Sequence, residues 1–344
     1  MVSRMGLRGY IAKRIVYTLF LVLFVLTLNF VIFEVMPHDP MTLFEGSRSI
    51  MTPEKEASIR RMWGLDQPWP VRYLTYVGNM LTFNFGKTSP TTSEVPVATM
   101  IMQYLPNTLV LMGLSTIFSI LIGVILGVIA AYKRGGMFDS ASVITSLITF
   151  SLPTFWMGML AIYIFSLGLH ILPANRIVGD SMPPWNTYFA LATQISIPTG
   201  LEIVSRIQHL ILPVGVLTLF QYGNYLLLTR ATMLETLTED YILTAKAKGL
   251  KERTIIFKHA LKNASLPIIT SSALAIGFLI GGAIITETVF SYPGIGYLTI
   301  TSLITTLNMP VLHVIFYVTA LTVILANFVS DLLYGVIDPR IKYG

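Results

Sequence analysis

The stretch Tyr241–Thr270 reads YILTAKAKGLKERTIIFKHALKNASLPIIT. It carries Lys246, Lys248, Lys251, Arg253, Lys258 and Lys262, with one glycine at Gly249, and lies between two strongly apolar segments. Its pattern reads as two short helices around a turn. Thr238 is placed to cap the first, with Glu239 and Asp240 at its positive end and Lys246 and Lys248 at its negative end. Gly249 suits the left-handed residue that closes a helix, and Lys251–Arg253 makes the turn. Ala245 and Ala247 keep the surface of the first helix low, as docking into a cleft requires. A solvated basic loop beside anionic lipid headgroups has the same composition, so the pattern alone leaves both readings open.

Outward from this stretch the chain is apolar. Of 344 residues 54% are hydrophobic and 12% charged, about half the charge of a soluble domain. An integral membrane protein follows, all-α and without strands. The formal charge of +6 is spread between apolar runs rather than gathered on one face, which argues against nucleic-acid binding. With no cysteine, disulfides, thiol catalysis and thiolate-held metals are excluded.

Runs long enough to cross a bilayer, about 20 residues, lie near 15–33, 105–131, 140–169, 208–229, 266–286 and 309–335, giving six expected transmembrane helices. The first reads as a retained helix: it is long for a signal peptide and no A-x-A-like site follows it. With the N-terminus inside, 15 of the 23 Lys and Arg fall on the inner side, and loop 287–308 holds none. Both termini are therefore expected to be cytoplasmic. Residues 34–104 then form an outer insertion, with a short helix capped by Thr52 and started by Pro53. A second outer loop, 170–207, is rich in proline and aromatics, and 230–265 is cytoplasmic.

Small residues recur every four positions at Ser115, Ser119, Gly123, Gly127 and Ala131, and again at Ala273, Gly277 and Gly281. Such stripes let helices approach closely, within the subunit or at a seam. Pro153 is expected to kink the third span. Asn327 and Asp331 share a face of the last helix, and Arg230 is a possible partner for the acid. Glu287, followed by Phe290, Pro293, Gly294 and Gly296, reads as a tight turn or the outer mouth of a pathway.

Enzyme chemistry finds little footing. Gly86-Lys87-Thr88 ends like a phosphate-binding loop, but Leu81 stands where its first glycine belongs. The five histidines have no zinc-site spacing, and no Ser-His-Asp or paired-carboxylate arrangement stands out. No metal or cofactor is expected on this chain.

The loop resembles the signature of ABC-importer permease subunits, and more closely that of the dipeptide/oligopeptide/nickel permeases. The matching residues are Thr244, Ala245, Ala247, Lys248, Gly249 and Leu250, then His259, Ala260, Leu261, Asn263, Ala264, Leu266 and Pro267. Gly64–Pro68, Pro96-Val97, Leu105–Leu109, the Glu287–Gly296 segment and the ending DLLYGVIDPRIKYG are also similar to that family. Leu243 and Thr244 replace the glutamate and first alanine of the general signature, and Phe83–Gly86 departs from the usual run.

The resemblance implies a type I ABC-importer transmembrane fold, a single permease domain over residues 1–344 in a prokaryotic cell membrane. It implies a homologous second permease, two ATPase subunits holding ATP and magnesium, and an extracytoplasmic solute-binding protein. Thr244, Ala245, Ala247, Lys248, Gly249, Leu250 and His259 would couple to the ATPases; Asn327, Asp331, Glu287, Pro293, Gly294 and Gly296 are pathway or structural candidates. The expected solutes are di- or oligopeptides, with short oligosaccharides or nickel as alternatives. An ion-gradient-driven secondary transporter is the alternative from another class.

Overall fold

A computed structural model describes residues 7–35, 54, 57, 60, 61, 66–88, 95–174, 200–277, 279–306 and 308–337. Among these the chain is helical, with one antiparallel bridge, Lys87 to Pro96, and no strand. Four helices are long and apolar enough to cross a membrane: Ile11–Phe33, Val97–Tyr132, Ile203–Thr236 and Met309–Val329. The expected cap at Thr52 lies outside the described residues.

The chain divides into two units, Met1–Pro106 with Gly294–Gly344, and Asn107–Pro293. In the first, α1 (Leu7–Phe30) continues into a wide π turn, Val31–Val35. α2 (Trp69–Leu81) follows Pro68 and has proline in its first turn, where the ring's fixed φ suits helix entry and no hydrogen bond is lost. The sequence reading of the outer insertion did not foresee this helix. The unit also holds the start of α3 (Val97–Tyr132), α10 (Ile295–Ile300) and α11 (Met309–Ile337). Its core includes Leu26, Met80, Val97, Leu298, Val311 and Val314. Asn29, buried in α1, donates to the Tyr76 hydroxyl at 2.8 Å and to the His313 carbonyl at 3.0 Å. The amide nitrogen of a polar side chain in an apolar helix is thus satisfied by its neighbours. Burial raises the pKa of the Tyr76 hydroxyl on α2, so it stays protonated.

The second unit contains the rest of α3, then α4 (Met137–Ser151), α5 (Thr154–Ala161) with a π turn to Gly168, and α6 (Gly200–Thr236). After these come α7 (Asp240–Ala247), α8 (Leu261–Gly277) and α9 (Ile284–Val289). Three sequence expectations change here. Pro153 does more than kink its span: α4 and the following helix meet at 97°, because Leu152 and Pro153 are both extended. Counted as one span, this bent pair raises the number of crossings to five. The helix expected at 208–229 begins earlier, at Gly200. The run at 266–286 is interrupted between α8 and α9, where Gly282 takes a φ of 69°.

The first small-residue stripe packs inside the subunit. A Cβ on Gly123 would lie 2.5 Å from the Tyr225 Cβ and 2.7 Å from the Tyr222 carbonyl oxygen. One on Gly127 would lie 2.7 Å from the Leu226 carbonyl oxygen. α3 and α6 thus touch backbone to backbone, which only glycine permits at these two positions. One residue beyond Thr229 on α6, Arg230 pairs with Asp139. Its Nη2 donates to Asp139 Oδ2 at 2.8 Å and its Nε donates to Oδ1, clamping α6 to the first turn of α4. The side chain of Asp331 lies outside the described residues.

Candidate functional site

Two features of the second unit meet the requirements of a working site. The first is the loop read from the sequence. α7 begins after Glu239 rather than at Thr238, whose hydroxyl donates back to the Glu235 carbonyl. Asp240 and Lys246 sit at the helix ends that favour their charges. Gly249, at a φ of 72°, closes the helix, and the Leu250 amide reaches back to the Ala245 carbonyl.

Apolar residues hold this loop. Ile242, Ala245, Ile255, Ala260 and Ala264 pack with Val128, Ala131 and Met233 from α3 and α6. The Tyr132 hydroxyl at the end of α3 is hydrogen-bonded to Glu252. Ala245 is thereby spent on the internal core, whereas Thr244, Ala247, Lys248, Gly249 and Leu250 face outward. His259 is half-buried in a π turn, Ile255–Ala260. Space around Gly249 is open within the chain. The result is a rigid knuckle with a smooth, cationic exposed tip.

The second feature is a cavity of about 680 Å³ within the unit. It is walled by Thr116 of α3, the α4–α5 break at Thr154, the Gln221, Asn224 and Tyr225 face of α6, and Ser271 of α8. The residues from Gly282 to Thr286 close another side. Apolar groups such as Phe150 and Phe220, stacked with centroids 5.5 Å apart, fill in between. No Asp, Glu, Lys, Arg or His is among the lining residues. The sequence reading missed Gln221 and Asn224. Two carboxamides three residues apart in a long apolar helix were the available signal.

Glu287 is next to this cavity in sequence but not on its wall. It is fully buried, and its Oε1 accepts from the Thr108 hydroxyl at 3.0 Å and the Ala283 amide at 3.3 Å. Nearby, Asn107 Nδ2 donates to the Pro293 carbonyl at 2.7 Å, and the Tyr292 hydroxyl donates to the Asn107 carbonyl at 3.1 Å. Burial, with the Glu287 charge close by, raises the pKa of Tyr292 and keeps that donor protonated. These groups tie α3 to the α9 turn. Gly294 precedes α10 and is buried with Gly296, and Asn327 is exposed on α11. Glu287 and Pro293 belong to the second unit, and Gly294, Gly296 and Asn327 to the first.

The apolar helical chain, with its braced cationic knuckle and uncharged cavity, matches a known family in sequence. Residues 123–343 match the binding-protein-dependent transport system inner membrane component family, and residues 7–114 match its N-terminal part. The chain belongs to that family. It is similar to an oligopeptide transport system permease protein of Bacillus subtilis, 36% identical over 97% of this chain and 99% of the relative. It is likewise similar to a di/tripeptide permease of Pseudomonas aeruginosa, 37% identical over 97% and 99%. A dipeptide permease of Escherichia coli is 36% identical over 92% of this chain and 93% of the relative. This transport-system permease subunit is thus a multi-pass membrane protein.

Proposed function

We propose that the chain is one membrane half of an ATP-driven, binding-protein-dependent peptide importer in a prokaryotic plasma membrane. The observation that carries this reading is the family match over nearly the whole chain, joined to a braced, outward-facing Gly249 knuckle. In it the polypeptide crosses six times, with the bent α4–α5 pair and the interrupted α8–α9 segment completing the count, and both termini are cytoplasmic. A homologous permease supplies the other half of the path. Two ATPase subunits receive the knuckles, and a solute-binding protein delivers cargo from outside. ATP-driven approach of the ATPases moves the two knuckles, and the uncharged cavity is the stretch of path contributed by this half.

Peptides are preferred over oligosaccharides or nickel because the similar relatives are named for oligopeptides, di/tripeptides and dipeptides. The test is reconstitution of the chain with its genomic partner subunits in proteoliposomes. Uptake of radiolabelled peptide that requires both internal ATP and the binding protein is expected. Peptide flux through the chain alone, driven by an ion gradient, would replace this reading with a secondary transporter.

A further inference from the structure

The cavity of the second unit has a chemical selectivity that its family membership does not specify. Gln221, Asn224 and Tyr225 stand at i, i+3 and i+4 on α6, so they share one face. Tyr225 is buried, and Ser271 of α8 lines the same cavity. Gln221 is half-buried and Asn224 exposed; neither carboxamide makes a hydrogen bond to another described residue, and both line the cavity. An amide left unanswered at membrane depth is costly unless water or a ligand answers it.

A second observation points the same way. Helical backbone is broken at two places beside the cavity: at Leu152-Pro153, between the lining residues Phe150 and Thr154, and between α8 and α9, where Gly282 and Ala283 line the space. Non-helical backbone at membrane depth is tolerated where it lines an aqueous or ligand-filled cavity. The volume, about 680 Å³, lies within the roughly 300–1,000 Å³ of small-ligand sites.

We infer that Gln221 and Asn224 form a subsite that reads the peptide bond itself and ignores side chains and terminal charges. This deepens, and rests on, the importer reading above. Each carboxamide offers one acceptor and a paired donor, the complement of a backbone C=O and N–H. Without an ionic group in the lining, nothing there selects a charged terminus or side chain. A contact made only of neutral hydrogen bonds is weak enough to release its cargo, as a conducting path needs.

The experiment compares a neutral peptide with its ester isostere, in which one backbone N–H is replaced by oxygen, in proteoliposomes holding the complete complex and the binding protein. The readouts are uptake of each compound and binding-protein-stimulated ATP hydrolysis. The binding protein's own preference enters every complex equally and cancels when ratios are compared. In the Gln221→Met, Asn224→Leu double variant, peptide uptake is expected to fall about tenfold, the size of losing one to two neutral hydrogen bonds. The peptide-to-ester ratio is expected to collapse toward that of the binding protein alone, with ATP hydrolysis maintained. Gln221→Asn with Asn224→Gln keeps both carboxamides and should retain most of the ratio. An unchanged ratio in the double variant overturns the subsite, whether or not uptake falls, and leaves the importer reading intact. Absence of ATP-dependent peptide uptake in the unsubstituted complex overturns both.

Discussion

The knuckle around Gly249 and the cavity beside Gln221 belong to the same unit but are built on opposite plans. The knuckle is assembled from neighbours in sequence: α7, a glycine turn and the entry to α8 lie within residues 240–260. Its residues face outward, and only its underside is packed. The cavity is assembled from segments that begin with Met112 and end with Thr286. A surface that must meet a partner can be local; a cavity needs walls from several helices. Substitutions at the helix contacts that hold the surrounding helices together should therefore disturb the fold, and substitutions at the knuckle tip should disturb only an encounter.

The hardest test of that contrast is Gly123→Leu. A side chain there meets α6 backbone at under 3 Å, so the helices must part, at a cost of about 3 kcal/mol or more. Thermal unfolding of the detergent-solubilised protein, followed by size-exclusion chromatography, should show a markedly lower midpoint; wild-type stability would mean the two helices are not in contact. Asp139→Asn comes next. It weakens both Arg230 contacts at about 2 kcal/mol, less than a fully buried ion pair because Arg230 keeps some solvent contact. The same assay reads it.

Gly249→Asp should separate the two regions. Space at that turn is open within the chain, and the left-handed φ of 72° costs an aspartate only about 1 kcal/mol, so the variant should fold while losing at least about tenfold in ATPase-subunit affinity, about 1.4 kcal/mol. Co-purification with undiminished ATPase would refute the docking role of the knuckle. The smallest effect is expected from Thr108→Val. Glu287 loses one hydrogen bond and keeps the Ala283 amide, so about 1 kcal/mol of stability should go; an unchanged midpoint would remove Thr108 from the joint that ties α3 to the α9 turn.

The contrast also explains what was legible from the sequence. Helical class, membrane residence and the loop with its glycine closure are written in composition and short spacing, and they could be read directly. Ala245 shows where such reading stops: its small size suits docking and packing alike, and only the core formed with Met233 and Ile242 shows that it is used for packing. The partner of Arg230 was unreadable because Asp139 lies 91 positions away and no local pattern links them. Pro153 signalled a disturbance, but its 97° angle depends on the extended Leu152 before it and on the helices that receive each arm. Gln221 and Asn224 were hidden by dilution, two amides inside a 37-residue helix.

That same elbow has a consequence for the surrounding lipid. The arm from Met137 to Ser151 has 15 residues and is about 22 Å long at 1.5 Å per residue. The hydrocarbon layer it enters is about 30 Å thick. Standing upright as a crossing by itself, this arm would fall about 8 Å short. The missing depth must be made up by protein turned across the bilayer or by locally thinned lipid, which makes membrane thickness a variable to control when the transporter's turnover is measured.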